Sequence, residues 1–268
     1  MTSNLLPAMS LPAHALSQRR ASPVSLRSEW INGSLQPQAL REAQRLRHQV
    51  FAQELGARLA PPPGTPSGHD ADLFDAHCEH LLLREVGPDG EVGAVVACYR
   101  LLTAEAAQRI GGFYCEQLFD LTRLRGQRQR MGELGRACVA PAYRRGAAVL
   151  LMWGAIAERC RQLGLDLLLG SASVPARDGG STAWALWNQL APRHLAPIEW
   201  QTRSRQPLAP AGLRSEAPEL PPLLRAYLNA NARLLGAPAW DPDFRCADFP
   251  LLLALQDLPD SYRRRFGA

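Results

Sequence analysis

The stretch MGELGRACVAPAYRRGAAVLLMWG, residues 131–154, decides the fold, because it predicts a strand, a turn and a long helix in direct succession. Met131–Val139 has the composition of a strand, Pro141 ends it, and residues 143–163 predict a helix that stops at Gly164. Free backbone N–H groups at a helix start favour an anion, and arginine adds charge-assisted hydrogen bonds. The turn therefore favours a phosphate site, with a helix start that merely carries surface arginines as the alternative.

The sequence on either side of this stretch predicts alternating strands and helices. Strands are predicted at residues 25–31, 80–85, 91–102, 165–169 and 249–255. Helices are predicted at residues 37–55, 105–110, 182–190, 221–235 and 259–266. This alternation is typical of an α/β protein with one mixed central sheet flanked by helices. Residues 1–28 predict a flexible N-terminal tail, because they are rich in Pro, Ser and Ala without periodicity, and residues 29–268 predict a single domain.

The composition excludes several classes of protein. Of 268 residues, 46% are hydrophobic and 21% charged, which is typical of a globular chain and not of a disordered one. All 30 basic residues are arginine, against 25 acidic residues, which gives a net charge of +5. The longest apolar run, residues 147–157, is too short to span a bilayer, and no secretory signal is evident. The six scattered cysteines predict free buried thiols in a reducing, cytoplasmic setting.

Several motifs resemble those of known acyltransferases. RRGA at residues 144–147 resembles the acyl-donor loop of the GNAT N-acyltransferase superfamily. Over residues 36–260 the chain resembles the bacterial L-ornithine N-alpha-acyltransferases, and several of the motifs are also similar to those of acyl-homoserine-lactone synthases. The motifs are LRHQVFAQELGA (46–57), DLFD (72–75), CYRLL (98–102), ELGRACV (133–139), and DPDF (241–244) followed by Ala247-Asp248.

This resemblance implies a GNAT-like acyl-CoA or acyl-carrier N-acyltransferase fold and a specific reaction. A 3-hydroxyacyl chain would pass from the phosphopantetheine thioester of acyl carrier protein to the α-amino group of L-ornithine. The product is lyso-ornithine lipid, the first step of ornithine lipid biosynthesis. The resemblance implies no permanently bound cofactor and no metal, and the lipid product leads us to expect peripheral contact with the inner face of the membrane. The donor-binding residues it implies are Val139, Arg144, Arg145, Gly146 and Ala147.

Two alternatives remain open at this point. The acceptor could be another amine, as in glycine lipid or acyl-homoserine lactone synthesis, because Arg245-Cys246 stands where an Asn-Thr-like pair is expected. The chain could also be a non-catalytic acyl-carrier or lipid-binding protein that kept the fold.

Glu133 and Arg136 are the candidate catalytic residues. An amine is mostly protonated at neutral pH, so it needs a base before it attacks a thioester, and Glu133 suits that role directly or through a water. The alternative is an ordinary ion pair between the two side chains. In a regular strand a spacing of three places them on opposite faces. Gly135 between them could support a bulge that brings both into one site.

Four further residues are candidates for binding the amino acid. Arg47 and Arg100 suit its carboxylate, because a guanidinium binds a carboxylate with two parallel hydrogen bonds. Asp72 and Asp75 suit its side-chain ammonium, with loop solvation or helix capping as the alternative. Because Arg100 lies in an apolar strand, it also needs a buried partner, and Asp72, Asp75 or Glu133 could supply one.

A basic strip in the sequence predicts docking of an acidic carrier protein beside the phosphate loop, since opposite potentials speed encounter. Its members are Arg123, Arg125, Arg128, Arg130, Arg136, Arg144 and Arg145. A solvated loop is the alternative. Nucleic acid is disfavoured, because no aromatic residues interleave the strip. A metal site at His77-Cys78-Glu79-His80 is disfavoured too, because no second ligand cluster completes it.

Overall fold

The predicted strands form one mixed sheet with helices on both faces. The computed structural model describes residues 25–144, 147–212 and 218–266. The helices are α1 Pro37–His48, α2 Ala104–Arg109, α3 Ala147–Gln162, α4 Ser181–His194, α5 Pro222–Asn229 and α6 Asp260–Phe266. The strands are β1 Ser25–Asn32, β2 Glu79–Val86, β3 Val92–Thr103, β4 Phe119–Asp120, β5 Met131–Val139, β6 Leu167–Pro175, β7 Arg203–Ser204, β8 Arg233–Leu234, β9 Ala239–Asp241 and β10 Cys246–Ala254.

The sheet has the order β1-β2-β3-β5-β6-β10-β8, with β9 paired to β10. β5 and β6 are parallel, whereas the other pairs in this sheet are antiparallel. A parallel pair needs a crossover, and α3 supplies it between β5 and β6. The mixed α/β sheet predicted from the alternation is therefore confirmed, and β4 pairs with β7 in a separate ribbon.

Apolar side chains fill both faces of the sheet. On one face the core includes Met152 of α3, Leu186 of α4 and Leu224 of α5. On the other face one cluster lies under α2 and a second lies under α1, where Ala43 is fully buried. Helix α1 continues into a wider π-helical turn, Gln49–Glu54, of a kind that often occurs at functional sites.

Several predicted boundaries differ from the structure. β1 begins at Ser25, inside the tail predicted for residues 1–28, so the folded part starts before residue 29; residues 1–24 lie outside the described residues. Helix α3 begins at Ala147 and not at residue 143, because residues 141–143 form a separate 3-10 turn. The helix predicted for residues 221–235 ends at Asn229, since Asn231 has a left-handed φ of 66° and turns the chain into β8.

The described residues give two findings on the predicted class. All six cysteines are buried and free, as the sequence predicted. No helix in the described part is both long and apolar enough to cross a bilayer.

Candidate active site

An extra residue in β5 brings Glu133 and Arg136 to one site. Tyr99 on β3 faces two residues of β5, Arg136 and Ala137, because the pairing shifts there by one residue. Arg136 has a left-handed φ of 53°, as residues in a bulge often do. The bulge predicted from the spacing and Gly135 is confirmed, one residue further along.

β5 and β6 separate partway along their length. Their parallel pairing extends only as far as Leu134 and Gly170, although β5 continues to Val139 and β6 to Pro175. A Cβ at Gly170 would lie 3.0 Å from the Leu134 carbonyl oxygen, so glycine allows the close approach just before the split. Beyond it, the facing strand edges have no ladder partner among the described strands. A gap with free backbone groups therefore opens in the sheet.

A cavity of about 490 Å³ lies at this gap and is lined from both faces of the sheet. Tyr99 and Leu134 belong to the core under α3, whereas Leu102 belongs to the core under α2. The cavity therefore connects a more apolar part on the α3 side with a polar part on the other side. The polar part is lined by Arg100, Tyr114, Glu133, Arg136, Ser171, Ser173, Asp241 and Asp248.

A buried Arg–Asp cluster lies against the polar part of the cavity. It consists of Arg47, Arg100, Arg136, Asp70, Asp72 and Asp75, so its formal charges balance. Arg100 lies 2.6 Å from Asp72 and 2.9 Å from Asp75, which supplies the buried partners that its apolar strand required. Its guanidinium also stacks near Phe74 and Tyr114. The cluster thus fixes Arg100 and Arg136 where the cavity begins.

The predicted binding roles of Arg47, Asp72 and Asp75 need correction. Arg47 is 1% exposed, and its donors are taken by Asp70 and Asp75, so it does not line the cavity. Asp75 is as deeply buried, and Arg47 and Arg100 hold its pKa far below the usual range although burial alone would raise it. Asp72 bridges Arg100 and Arg136 and lies behind them. Of the four predicted binding residues, Arg100 alone lines the cavity.

Glu133 is buried at the cavity, and its carboxylate accepts hydrogen bonds from backbone N–H groups and does not pair with an arginine in the described part of the chain. Its two carboxylate oxygens accept hydrogen bonds from the backbone N–H groups of Tyr114, at 2.6 Å, and Cys115, at 2.7 Å. Arg136 pairs instead with Asp72, so the predicted alternative of a Glu133–Arg136 ion pair is wrong. Burial raises the pKa of Glu133, although these hydrogen bonds and Arg100 lower it in part. A raised pKa suits a carboxylate that must accept a proton near neutral pH.

Two further carboxylates, those of Asp241 and Asp248, lie across the cavity. Both are buried, and with Cys246 they place ligand atoms within 4.8 Å of one another. Asp248 accepts hydrogen bonds from the hydroxyls of Ser171 and Ser173. Neither carboxylate pairs with a cation among the described residues. We call this the acid pair.

The acid pair and Glu133 lie on the same face of the sheet. Glu133 is opposite Leu169 on β6, and side chains alternate, so Leu169, Ser171 and Ser173 share that face. Ser173 is in turn opposite Asp248 on β10. At 3.3 Å per residue the backbone levels of Glu133 and Asp248 are about 13 Å apart along the strands, which leaves room for a small molecule between them.

The predicted donor loop lies at the far end of β5. The Arg144 guanidinium pairs with Glu54 at 2.6 Å and donates to the Val139 carbonyl at 3.0 Å. Ala147 is exposed at the start of α3, whereas Arg145 and Gly146 lie outside the described residues. Glu54 itself lines the cavity, so Arg144 lies close to the rim.

The part of the basic strip that precedes β5, from Arg123 to Arg130, does not lie beside this loop. Residues 122–130 precede β5 and Arg144 follows it, and a strand of this length separates its ends by about 26 Å. Arg128 and Arg130 also pair with Glu116 and Asp166. For the members at residues 123–130, the prediction that the strip lies beside the phosphate loop is therefore wrong.

Comparison with known proteins shows the family to which the chain belongs. The acetyltransferase (GNAT) domain family matches residues 46–154. An L-ornithine N(alpha)-acyltransferase of Rhodobacter capsulatus is 35% identical over 84% of this chain and 90% of its own length. An enzyme of the same description from Brucella abortus is 31% identical over 86% of this chain and 85% of its own length. The chain belongs to the L-ornithine N(alpha)-acyltransferase family. It is an acyltransferase, and the predicted GNAT-like fold is confirmed.

Solved structures of other proteins share the fold of this L-ornithine N(alpha)-acyltransferase family member. The CoA-dependent acyl-homoserine lactone synthase BjaI superimposes with a TM-score of 0.54 and 18% identity, over 91% of this chain and 90% of its own. The synthase MesI gives a TM-score of 0.50 at 14% identity, over 90% of this chain and 96% of its own. At such identities the likeness shows the shared fold alone.

The site predicted from the sequence of this L-ornithine N(alpha)-acyltransferase family member did not include Tyr114 or the acid pair. Asp241 and Asp248 were part of a family motif, but no role followed from it. A usable signal was present, because Asp248 lies in the apolar strand CADFPLLLA, where a charge needs compensation. The same reasoning that predicts acidic partners for Arg100 applies to Asp248.

Asp241→Asn is expected to stabilise the unliganded protein at pH 7.5 by about 1–3 kcal/mol. Burial and the Asp248 carboxylate raise the pKa of Asp241 to about 6, from an ordinary value of 3.8. A carboxyl with a raised folded pKa costs stability above that pKa, and the cost disappears as pH falls towards the unfolded value. Asparagine keeps the Oδ1 that accepts from the backbone of Asp243 and Phe244.

Thermal melts at pH 7.5 and pH 4 measure this effect, with the exposed Asp243→Asn in the same turn as the control. The other titratable groups near Asp241 are Asp248 and Cys246 on β10, Asp243, and Tyr114. A gain that is equal at both pH values would contradict the assignment to the Asp241 charge.

Proposed function

We propose that this acyltransferase moves a 3-hydroxyacyl chain from acyl carrier protein to the α-amino group of L-ornithine and so makes lyso-ornithine lipid. The observation that carries the proposal is the cavity across the sheet, in a chain whose relatives are described as L-ornithine N(alpha)-acyltransferases. A thioester would enter between the separated strands, and the amino acid would bind in the polar part beside Glu133.

The reaction needs two contributions from the chain, a base and a hydrogen-bond donor. Glu133, through a water, takes a proton from the ammonium, and the free nitrogen then attacks the thioester carbonyl carbon. The oxygen of the tetrahedral intermediate gains negative charge, and an unpaired backbone N–H near Cys138 or Val139 on the open edge of β5 would stabilise it. The nitrogen loses a second proton as the C–S bond breaks and the amide forms, and the leaving thiolate takes that proton to become the free thiol. No covalent acyl-enzyme is required, and the interaction with the Cys98 thiol, together with burial, raises the pKa of Cys138 far above the usual range.

The two substrates would be held by different charges. Arg100 and Arg136 suit the amino-acid carboxylate, because they are the cluster arginines that line the cavity. Arg144 near the rim and the N-terminus of α3 suit the phosphate of the phosphopantetheine arm. Arg177 and Arg245 are exposed where they line the cavity, and they supply positive charge there for an acidic carrier.

Mass spectrometry of lipids from a host that expresses the protein tests the proposal. We expect a new mono-acylated ornithine with a 3-hydroxy chain, and a di-acylated one when a second acyltransferase is added. Purified protein with 3-hydroxyacyl carrier protein and ornithine should release one thiol for each amide formed.

Other outcomes would point elsewhere. If the product is acylated glycine or an acyl-homoserine lactone, the acceptor is an amine other than ornithine. If the protein turns over with an acyl-CoA but not with acyl carrier protein, the acyl donor is the CoA thioester. Binding of acyl carrier protein without any amide product would favour a non-catalytic binding role.

A further inference from the structure

The acid pair is a buried negative charge that faces an open cavity without a partner. Asp241 is 5% exposed and lines the cavity, yet its Oδ2 has no hydrogen-bond or ion-pair partner among the described residues, since both backbone donors bind Oδ1. Burying a carboxylate in this way is costly unless a cation compensates it. Elsewhere in the cavity the charges of the Arg–Asp cluster already balance. The free carboxylate oxygen therefore points to a ligand.

We infer that Asp241 and Asp248 form the subsite for the side-chain ammonium of a diamino acid acceptor. This inference rests on the proposed function and adds to it the residues that select ornithine over an amino acid with an uncharged side chain. The Ser171 and Ser173 hydroxyls already donate to Asp248, so its carboxylate is held in place for a cation that approaches from the cavity. Arg100 and Arg136 lie across the polar part, where the α-carboxylate would bind.

A metal ion is the competing occupant, because Cys246 completes a set of three potential ligands. Burial, followed by the charges of Asp248 and Asp241, raises the pKa of the Cys246 thiol far above the usual range. The protonated thiol donates a hydrogen bond to Asp248 at 3.3 Å. A metal would have to displace this proton to bind the thiolate, whereas an ammonium ion is compatible with the protonated thiol as it stands.

The test compares ornithine with norvaline, which has the same carbon skeleton without the side-chain amine. The parent protein is expected to prefer ornithine. In Asp248→Asn and in Asp241→Asn, the ratio of kcat/KM for ornithine to that for norvaline should fall about 10- to 100-fold, mainly through KM for ornithine. Norvaline turnover should change little, which separates the loss of a subsite from misfolding. The exposed Asp243→Asn should keep the parent ratio.

Three results would overturn the inference. The first is an unchanged ratio in the folded variant Asp241→Asn, which we expect to be at least as stable as the parent. The second is stoichiometric bound metal in the parent that Asp248→Asn loses. The third applies if no amino acid is acylated, so that the proposed function itself fails: calorimetry would then show whether the parent binds ornithine more tightly than norvaline, and equal binding would overturn the subsite.

Discussion

Glu133→Gln should reduce acyl transfer to ornithine about 10²- to 10⁴-fold, the range typical of a lost general base. The substitution keeps the shape of the side chain and removes its charge. In the parent, the rate should level off above the raised pKa of Glu133. In the variant, only the small fraction of free amine can react, so the residual rate should rise about tenfold per pH unit until the amine itself titrates.

The pH profile separates this role from a structural one. Glutamine has one acceptor oxygen, so the backbone N–H of Tyr114 or of Cys115 loses its acceptor, and a stability cost of about 1–3 kcal/mol is expected as well. A purely positioning role would lower the rate without changing the shape of the profile. Glu116→Gln, the same chemical change in the neighbouring 3-10 turn, is the matched control, because Glu116 does not line this cavity. Full activity in Glu133→Gln would remove Glu133 from the mechanism.

Arg47→Met should destabilise the protein by about 3–5 kcal/mol, because it leaves buried carboxylates without their partner. Arg47 bonds to Asp70 at 2.7 Å and to Asp75 at 2.7 and 2.9 Å, at 1% exposure. A shift of this size lowers the melting temperature by about 10 °C in a chain of this length.

Thermal melts of three variants check this. The exposed Arg45→Met on the same helix should melt close to the parent. Adding Asp75→Asn to Arg47→Met should recover part of the loss, because it removes one of the stranded charges. If Arg47→Met melts like the parent but loses affinity for ornithine, the original prediction of a substrate-binding Arg47 would be restored.

The sequence predicted the parts of this protein that depend on local pattern. The strand, turn and helix at residues 131–154 follow from apolar periodicity and Pro141. The bulge followed from the need to bring Glu133 and Arg136 together beside Gly135. The partner acids of Arg100 followed from the cost of a lone buried charge.

The parts that failed depend on distance in three dimensions. Arginines close in sequence on either side of β5 were expected at one surface, but an extended strand places its two ends far apart. Arg47 and Arg100 have the same chemistry in sequence, and only the packing of α1 over the sheet shows that Arg47 is enclosed. The acid pair depends on the pairing of β9 with β10, which sets Asp241 opposite Cys246 and so beside Asp248, two residues further along β10, and the sequence pattern does not predict that register.

The sheet on either side of the opening between β5 and β6 separates an apolar environment from a polar one. In the proposed reaction, a fatty chain and an amino acid with several ionised groups have opposite preferences for water, and no single chamber would be favourable to both. Because the sheet lies between the two parts of the cavity, the fatty chain would stay in the apolar part and the amino acid in the polar part. The two would meet only at the gap between β5 and β6. An amphiphile formed there would span the partition, with its head among the carboxylates and its tail on the α3 side, already sorted as it would be at a membrane surface.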